Sequence, residues 1–241
     1  MYMPIISFTS WKGGVGKTFL TVNAAVYLAS KGKKVLLVDG SRSGDAELML
    51  GIKAEKTLYD VVLGSCSLSD VVSEKYGVSV LPIGFSLEAQ RRVSWKAIYK
   101  SVKELSDKYE LILVDTPPIV AGLVSRREAL GSLVVGDLFY IVTTPAKTAL
   151  MNALKTKMLL EKIGKKVSGV IVNRWRASLL SKPYYRPSEI EAFLKAKISA
   201  IIPEDKNVMR SINASKPLVL KPSSPAARAI VKFCDSFLLS Y

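Results

Sequence analysis

The residues able to do chemistry begin with Lys12-Gly13-Gly14-Val15-Gly16-Lys17-Thr18. Glycines at this density let several backbone N–H groups curl around an anion without interference from Cβ atoms. Lys17 has the reach to meet the outer phosphates of a nucleotide, and the Thr18 hydroxyl suits Mg²⁺. A metal in a phosphoryl-transfer site also needs carboxylates, usually at the ends of neighbouring strands. Asp39 closes the apolar run Val35-Leu36-Leu37-Val38, and Asp115 closes Leu111-Ile112-Leu113-Val114. The set Thr18, Asp39 and Asp115 is the candidate metal site. For Asp39 taken alone, a turn or helix cap is the alternative.

These groups need a scaffold that brings strand ends together. The glycine turn lies between an apolar run, Pro4 to Thr9, and a helical pattern from Phe19 to Ser30. Strand, glycine turn, helix is the setting in which such a loop holds phosphate, with the positive end of the helix dipole aimed at the same place. Further strands are expected over Lys33–Asp39, Val78–Ile83, Leu111–Asp115, Leu138–Thr143, Val167–Asn173 and Ile198–Ile202, the last stopping at Pro203. Helical patterns separate them near Thr57–Leu63, Ser86–Lys108, Lys147–Ile163 and Pro187–Lys197. Continuous apolar runs alternating with helices imply an α/β fold: a doubly wound, mainly parallel sheet with helices on both faces and ligands at the carboxyl ends of the strands. No repeat, low-complexity tract or linker splits the sequence, so residues 1–241 read as one domain. A last helix, about Pro225 to Leu239, gathers Ile230, Phe233, Cys234, Phe237 and Leu238 on one side. At roughly 1.5–3 kcal/mol for each fully buried side chain, it is expected to dock on the sheet rather than lie on a membrane.

Composition closes several routes. There is no histidine, which removes Ser-His-Asp catalysis, HExxH zinc chemistry and any histidine base. The cysteines Cys66 and Cys234 stand far apart, as small buried hydrophobes in a reducing cytosol would. No uncharged apolar run approaches eighteen residues, so no integral membrane segment is expected, and no cleaved signal peptide either. The 35 basic and 20 acidic residues leave a net charge of +15, which favours a polyanionic partner.

The loop departs from the general phosphate-loop pattern, with Trp11 where the first glycine would stand and an extra lysine, Lys12, beside Gly13. This KGGxGK[ST] form resembles the deviant Walker A loop of the ParA/MinD family of dimeric ATPases, P-loop NTPases in which the extra lysine reaches the nucleotide held by the partner subunit. The resemblance implies ATP/ADP and Mg²⁺ as cofactors, a homodimer, and catalytic roles for Lys12 and Lys17. Asp115-Thr116-Pro117-Pro118 resembles the family's Walker B element, with Asp115 holding a water on the metal. The strand ending at Asp39 resembles its Walker A′ element. There the family has Asp-x-Asp, whereas this sequence reads Asp39-Gly40-Ser41, and a serine cannot take a proton or hold the metal as a carboxylate does. Asp45, expected in a Gly-containing loop, is the candidate stand-in for the catalytic water. Hydrolysis is therefore expected to be slow, with a nucleotide-gated switch of little turnover as the alternative.

By the same resemblance Asn173 reads the adenine edge, for which an amide that both donates and accepts is suited. Pro203 and Asp205 line the base, and the second switch falls between Asp115 and Leu138, around Arg126, Arg127 and Glu128. Family members that bind DNA non-specifically use basic residues after the adenine-reading strand, which here are Arg174, Arg176, Lys182, Arg186, Lys206, Arg210 and Lys216. The implied protein is a partitioning ATPase, cytoplasmic and nucleoid-associated, with double-stranded DNA and a ParB-like centromere-binding protein as partners. A MinD-like membrane-positioning ATPase is the alternative; the lipid-binding tail of that group is not expected after Leu239. A second basic set, Arg92, Lys96, Lys100 and Lys103, falls at helical spacing and is expected to be a solvated helix face.

Overall fold

The computed structural model describes residues 4–41, 43–84, 94–119, 133, 135–176 and 185–239. One sheet contains eight strands: β1 Ile5–Thr9, β2 Val35–Asp39, β3 Ser73–Lys75, β4 Val78–Pro82, β5 Leu111–Asp115, β6 Leu138–Thr143, β7 Lys166–Trp175 and β8 Ile198–Pro203. Their order is β3-β4-β2-β5-β1-β6-β7-β8, and every pairing is parallel except β3 with β4. The helices are α1 Lys17–Ser30, α2 Asp45–Leu50, α3 Leu58–Val62, α4 Trp95–Ser106, α5 Lys147–Lys162, α6 Pro187–Leu194, α7 Asn207–Asn213 and α8 Pro225–Leu238.

Strand alternation divides the core between the two faces. Ile6, Phe8, Leu37, Leu113 and Val142 pack with α1 and α8. Ile5, Leu36, Val38, Ile112 and Val114 face α3 and α4, and Phe139, Ile141, Val170 and Val172 face α5 and α6. Because both faces are covered, the interior strands read as unbroken apolar runs. The final helix docks as expected. Ser224 caps it, Pro225 opens it, and Phe233 meets Phe8 and Tyr140 at centroid distances of 6.3 and 5.1 Å. Among the described residues no helix is long and apolar enough to cross a membrane.

Three points of the expected fold need correction. β3 is an added antiparallel edge strand; Ser73-Glu74-Lys75 has no apolar run to announce it, and its turn uses Tyr76 and Gly77 at φ 53° and 74°. Asp45 opens a helix, α2, instead of lying in a loop. A short helix, α7, follows the Pro203-Glu204-Asp205 turn. Pro203 ends β8 instead of stopping it beforehand, which an edge strand tolerates. Of the helix expected over Ser86–Lys108, the described part is α4, capped by the Ser94 side chain. Arg92 and the segment around Arg126, Arg127 and Glu128 lie outside the described residues.

Candidate functional site

The glycine turn leaves β1 at the centre of the sheet and enters α1 through Gly16, whose φ of 93° is left-handed. No side chain caps α1, so the first N–H groups of the helix remain available to an anion. Gly16 is also held by close approach: a Cβ there would lie 2.2 Å from Asn173 Nδ2. Asn173 Nδ2 donates to the Val15 carbonyl at 2.8 Å, which ties the end of β7 to the turn.

Lys17 is buried, and its ammonium donates to Ser10 Oγ at 3.0 Å; Ser10 in turn donates to the Lys12 carbonyl at 2.7 Å. Burial pulls the Lys17 pKa down, and the charges of Asp115 and Asp45 oppose that. The next residue, Thr18, donates its hydroxyl to Asp115 Oδ2 at 2.6 Å. The other Asp115 oxygen, Oδ1, is buried without a hydrogen-bond partner. Burial, helped by the neighbouring charge of Asp39 and opposed by that of Lys17, pushes the Asp115 carboxyl up to about 7. The sheet register explains the pairing, since Asp39 and Asp115 are aligned on adjacent parallel strands.

The unpartnered carboxylate oxygen of Asp115 and the Thr18 hydroxyl bonded to its other oxygen are hard oxygen donors of the kind Mg²⁺ takes. No group of three His, Cys, Asp or Glu residues stands together among the described residues. Mg²⁺ binds through one or two carboxylates plus phosphates and waters rather than in an all-protein cage. Asp39 has a different position from the one its place in the motif implied. It is 1% exposed and stands behind the cavity wall; Oδ1 accepts from Ser41 N at 2.8 Å and Oδ2 from Ala46 N at 2.9 Å. Burial raises its pKa, and those N–H groups work the other way.

Asp39 thus anchors the loop that presents Ser41 and Asp45 to the cavity. Ser41 Oγ accepts from Asp45 N at 2.8 Å, and Asp45 Oδ1 accepts the Ser43 hydroxyl at 2.6 Å. Gly40 must be glycine, because a Cβ would lie 2.5 Å from the Asp115 carbonyl, to which Gly40 N already donates.

The cavity of about 590 Å³ runs from Gly13, Gly14, Gly16, Lys17 and Thr18, past Ser41, Asp45 and Asp115, to Asn173, Arg174, Pro203, Glu204 and Asp205. Met49, Val208, Met209 and Ile212 give its far end an apolar wall. Three things here escaped sequence reasoning: the Ser10 brace, the Gly40 contact and the α7 wall. Only Gly40 carried a signal, as a glycine directly after a strand-end aspartate. Lys12 is exposed and Val15 faces away from the cavity. Asp205 lines the cavity, yet both its oxygens are engaged: Oδ1 by Asn207 N and Nδ2, Oδ2 by the Ser224 hydroxyl and Ala226 N. Partial burial pushes its carboxyl up, but these hydrogen bonds together hold it below the usual range.

Comparison with known proteins decides the family. Residues 3–167 match the family model described as an AAA domain. An uncharacterised ATP-binding protein of Methanocaldococcus jannaschii is 33% identical over 237 residues, covering 97% of this chain and 87% of that protein. The chain is a ParA/MinD-type P-loop ATPase. The septum site-determining protein MinD of Pyrococcus horikoshii, solved with Mg-ADP, superposes with a TM-score of 0.85 at 32% identity, covering 98% of this chain and 96% of that one. A ParA family ATPase of Chlorobium tepidum gives 0.79 at 25% identity, over 96% and 97% of the two chains. The ParA/MinD fold accounts for the doubly wound sheet and the loop at the end of β1.

Of the basic residues expected to meet DNA, Arg174, Arg176, Arg186, Lys206, Arg210 and Lys216 are all exposed. Arg174 reaches the cavity from a left-handed backbone, φ 56°, and Arg176 pairs with Glu204. Lys182 lies outside the described residues. On α4, Lys100 pairs loosely with Glu104 at 3.9 Å on the exposed side, while Lys103 reaches Asp137 at 3.9 Å.

Proposed function

We propose that residues 1–241 act as a single P-loop ATPase domain that binds ATP with Mg²⁺, dimerises through the nucleotide, and as a dimer holds double-stranded DNA without reading its sequence. The observation that carries the nucleotide part is the hydrogen bond from Thr18 to the buried Asp115, which has one carboxylate oxygen left over and feels the charge of Lys17. Gly13 to Thr18 would hold the phosphates, Thr18 and Asp115 the metal side, and Asn173, Pro203 and Asp205 the base. Mg²⁺, when bound, would neutralise phosphate charge and fix phosphate geometry. Lys17 is braced by Ser10 and aims its ammonium with little freedom to lose. The Lys12 side chain is exposed on the loop and would serve the partner subunit's nucleotide. Asp45 is the carboxylate at the cavity able to orient an attacking water, in place of the acid that Ser41 replaces. Hydrolysis on this basis is slow and is raised by a centromere-binding, ParB-like partner.

What supports DNA as the cargo surface is the excess of 35 basic over 20 acidic residues together with the exposed cations after β7. The likeness to MinD at 32% identity favours a second reading, a positioning ATPase held at a membrane. One experiment separates them: fluorescence anisotropy on unrelated duplexes with ATP, ADP and no nucleotide, beside sedimentation with anionic vesicles. ATP-dependent, salt-sensitive, sequence-blind duplex binding without pelleting supports the DNA reading. ATP-dependent pelleting without duplex binding overturns it in favour of the membrane.

A further inference from the structure

The edge of the sheet opposite the nucleotide carries a ridge of lysines. All the parallel strands begin at that edge, so the loops entering them lie side by side. Lys31 and Lys34 precede or adjoin β2, Lys75 closes β3 opposite the start of β4, and Lys108 precedes β5. Lys162 and Lys166 flank the turn into β7, and Lys195 and Lys197 enter β8. All of these are exposed, and none makes an ion pair with a carboxylate among the described residues. The acidic groups nearby are mostly committed elsewhere. Glu110 accepts from Lys33 and from Lys34 N, Asp137 from Ile5 N, Asp235 from Tyr27, and Glu161 pairs with Lys157.

A helix dipole accounts for some of these lysines, since Lys31, Lys162 and Lys195 sit at helix C-termini, where a cation is favoured. It gives no reason for Lys34, Lys166 or Lys197, each at the start of a strand. Edge protection, another common use of lysine, applies to Lys75 and Lys197 on the outer strands but not to Lys34 or Lys166, which enter interior strands. From β4 to β8 the ridge crosses six strand spacings, about 29 Å at ~4.8 Å each. That is close to one turn of duplex, about 34 Å.

We propose that this edge is a second duplex-backbone surface, separate from the cations after β7 and indifferent to the nucleotide held at the other end of the strands. It rests on the DNA-binding function proposed above. Lysines in a line, as compact charges without an accompanying apolar face, suit a phosphate backbone better than a bilayer. The large apolar side chains at this end stand apart from one another: Ile163, 40% exposed, after α5, and Leu239, 90% exposed, at the end of α8. Such contacts are sequence-blind and lose affinity steeply with salt, by a slope of about 0.9 per phosphate neutralised.

The test uses the full chain, a labelled 30-base-pair duplex of arbitrary sequence and a salt series, with ADP and with ATP. The triple variant Lys34→Glu/Lys166→Glu/Lys197→Glu should bind at least 10-fold more weakly with either nucleotide and lower the salt slope by about 2–3. The neutral variant with glutamine at the same positions should show a smaller loss in the same direction, and serves if charge reversal harms folding. A control, Lys53→Glu/Lys56→Glu/Lys155→Glu, changes the net charge equally away from the ridge and should change binding much less. Unchanged affinity and slope in the ridge variants overturn the proposal, as does an equal loss in the control. Loss of vesicle pelleting (30% phosphatidylglycerol) in place of duplex binding overturns it as well. If Lys206→Glu/Arg210→Glu alone abolishes binding, the ridge fails while the DNA-binding function stands; if the wild type binds no duplex, both fail.

Discussion

Asp205 offers the sharpest test of how the base end of the cavity is built. Its two oxygens serve two helices at once. Oδ1 accepts from Asn207 N at 2.8 Å at the start of α7, and Oδ2 accepts from Ala226 N at 3.3 Å in the first turn of α8 and from the Ser224 hydroxyl. Replacing a capping side chain by alanine costs about 1 kcal/mol per helix. Ser224, only 4% exposed, would also lose its acceptor, at about another 1 kcal/mol. Asp205→Ala should therefore cost about 3 kcal/mol of unfolding free energy. Asp205→Asn, which keeps one acceptor oxygen, should cost about half that. Urea unfolding without nucleotide, followed by far-UV circular dichroism at pH 7, reads both, with an unchanged denaturant slope as the sign that the fold is intact. The carboxyl is held below its ordinary 3.8, so the contribution of its charge is present above that value and lost as the pH falls through the folded value; the gap between wild type and Asp205→Ala should narrow as the pH is taken below 3.8. A cost below about 0.5 kcal/mol for Asp205→Ala at pH 7 would refute the double-cap account and leave nucleotide contact as the role of this residue.

Three more outcomes follow from the site. Burial holds Asp115 protonated up to about 7, against its ordinary 3.8, so its ionisation weighs on the metal-free fold from about pH 4 upward and levels off above 7. In EDTA, the stability of Asp115→Asn relative to wild type should rise by about 3 kcal/mol between pH 5 and pH 8, at about 1.4 kcal/mol per pH unit up to 7; a flat difference contradicts the burial argument. Gly16→Ala adds left-handed strain of about 1–2 kcal/mol and drives a methyl into Asn173 Nδ2, 2.2 Å away. Binding of a fluorescent ADP analogue should weaken at least 10-fold, and wild-type affinity would show that the turn relaxes freely. Asp45→Ala should reduce phosphate release by roughly 10²-fold or more, the 10²–10⁴ range of a lost general base, while nucleotide affinity holds; equal rates in an active wild type would remove Asp45 from the chemistry.

The phosphate loop, the two strand-end aspartates and the sheet class were legible in the linear sequence because each is a local property. A glycine turn, a helix start and a strand buried on both faces are written within about ten residues of themselves. What stayed hidden were relations between distant segments. The sequence shows Asp39 and Asp115 as equals, each ending an apolar run. Only the register of β2 beside β5, and the return of α2 over the strand end, put Asp39 behind the wall and left Asp115 with an unpartnered oxygen. Short elements were hidden for a different reason, since α2 has too few turns for a period and β3 has no apolar alternation. The lysine ridge is the clearest case. Its members are scattered from Lys31 to Lys197 in the sequence, and they meet because parallel strands must all begin at the same edge.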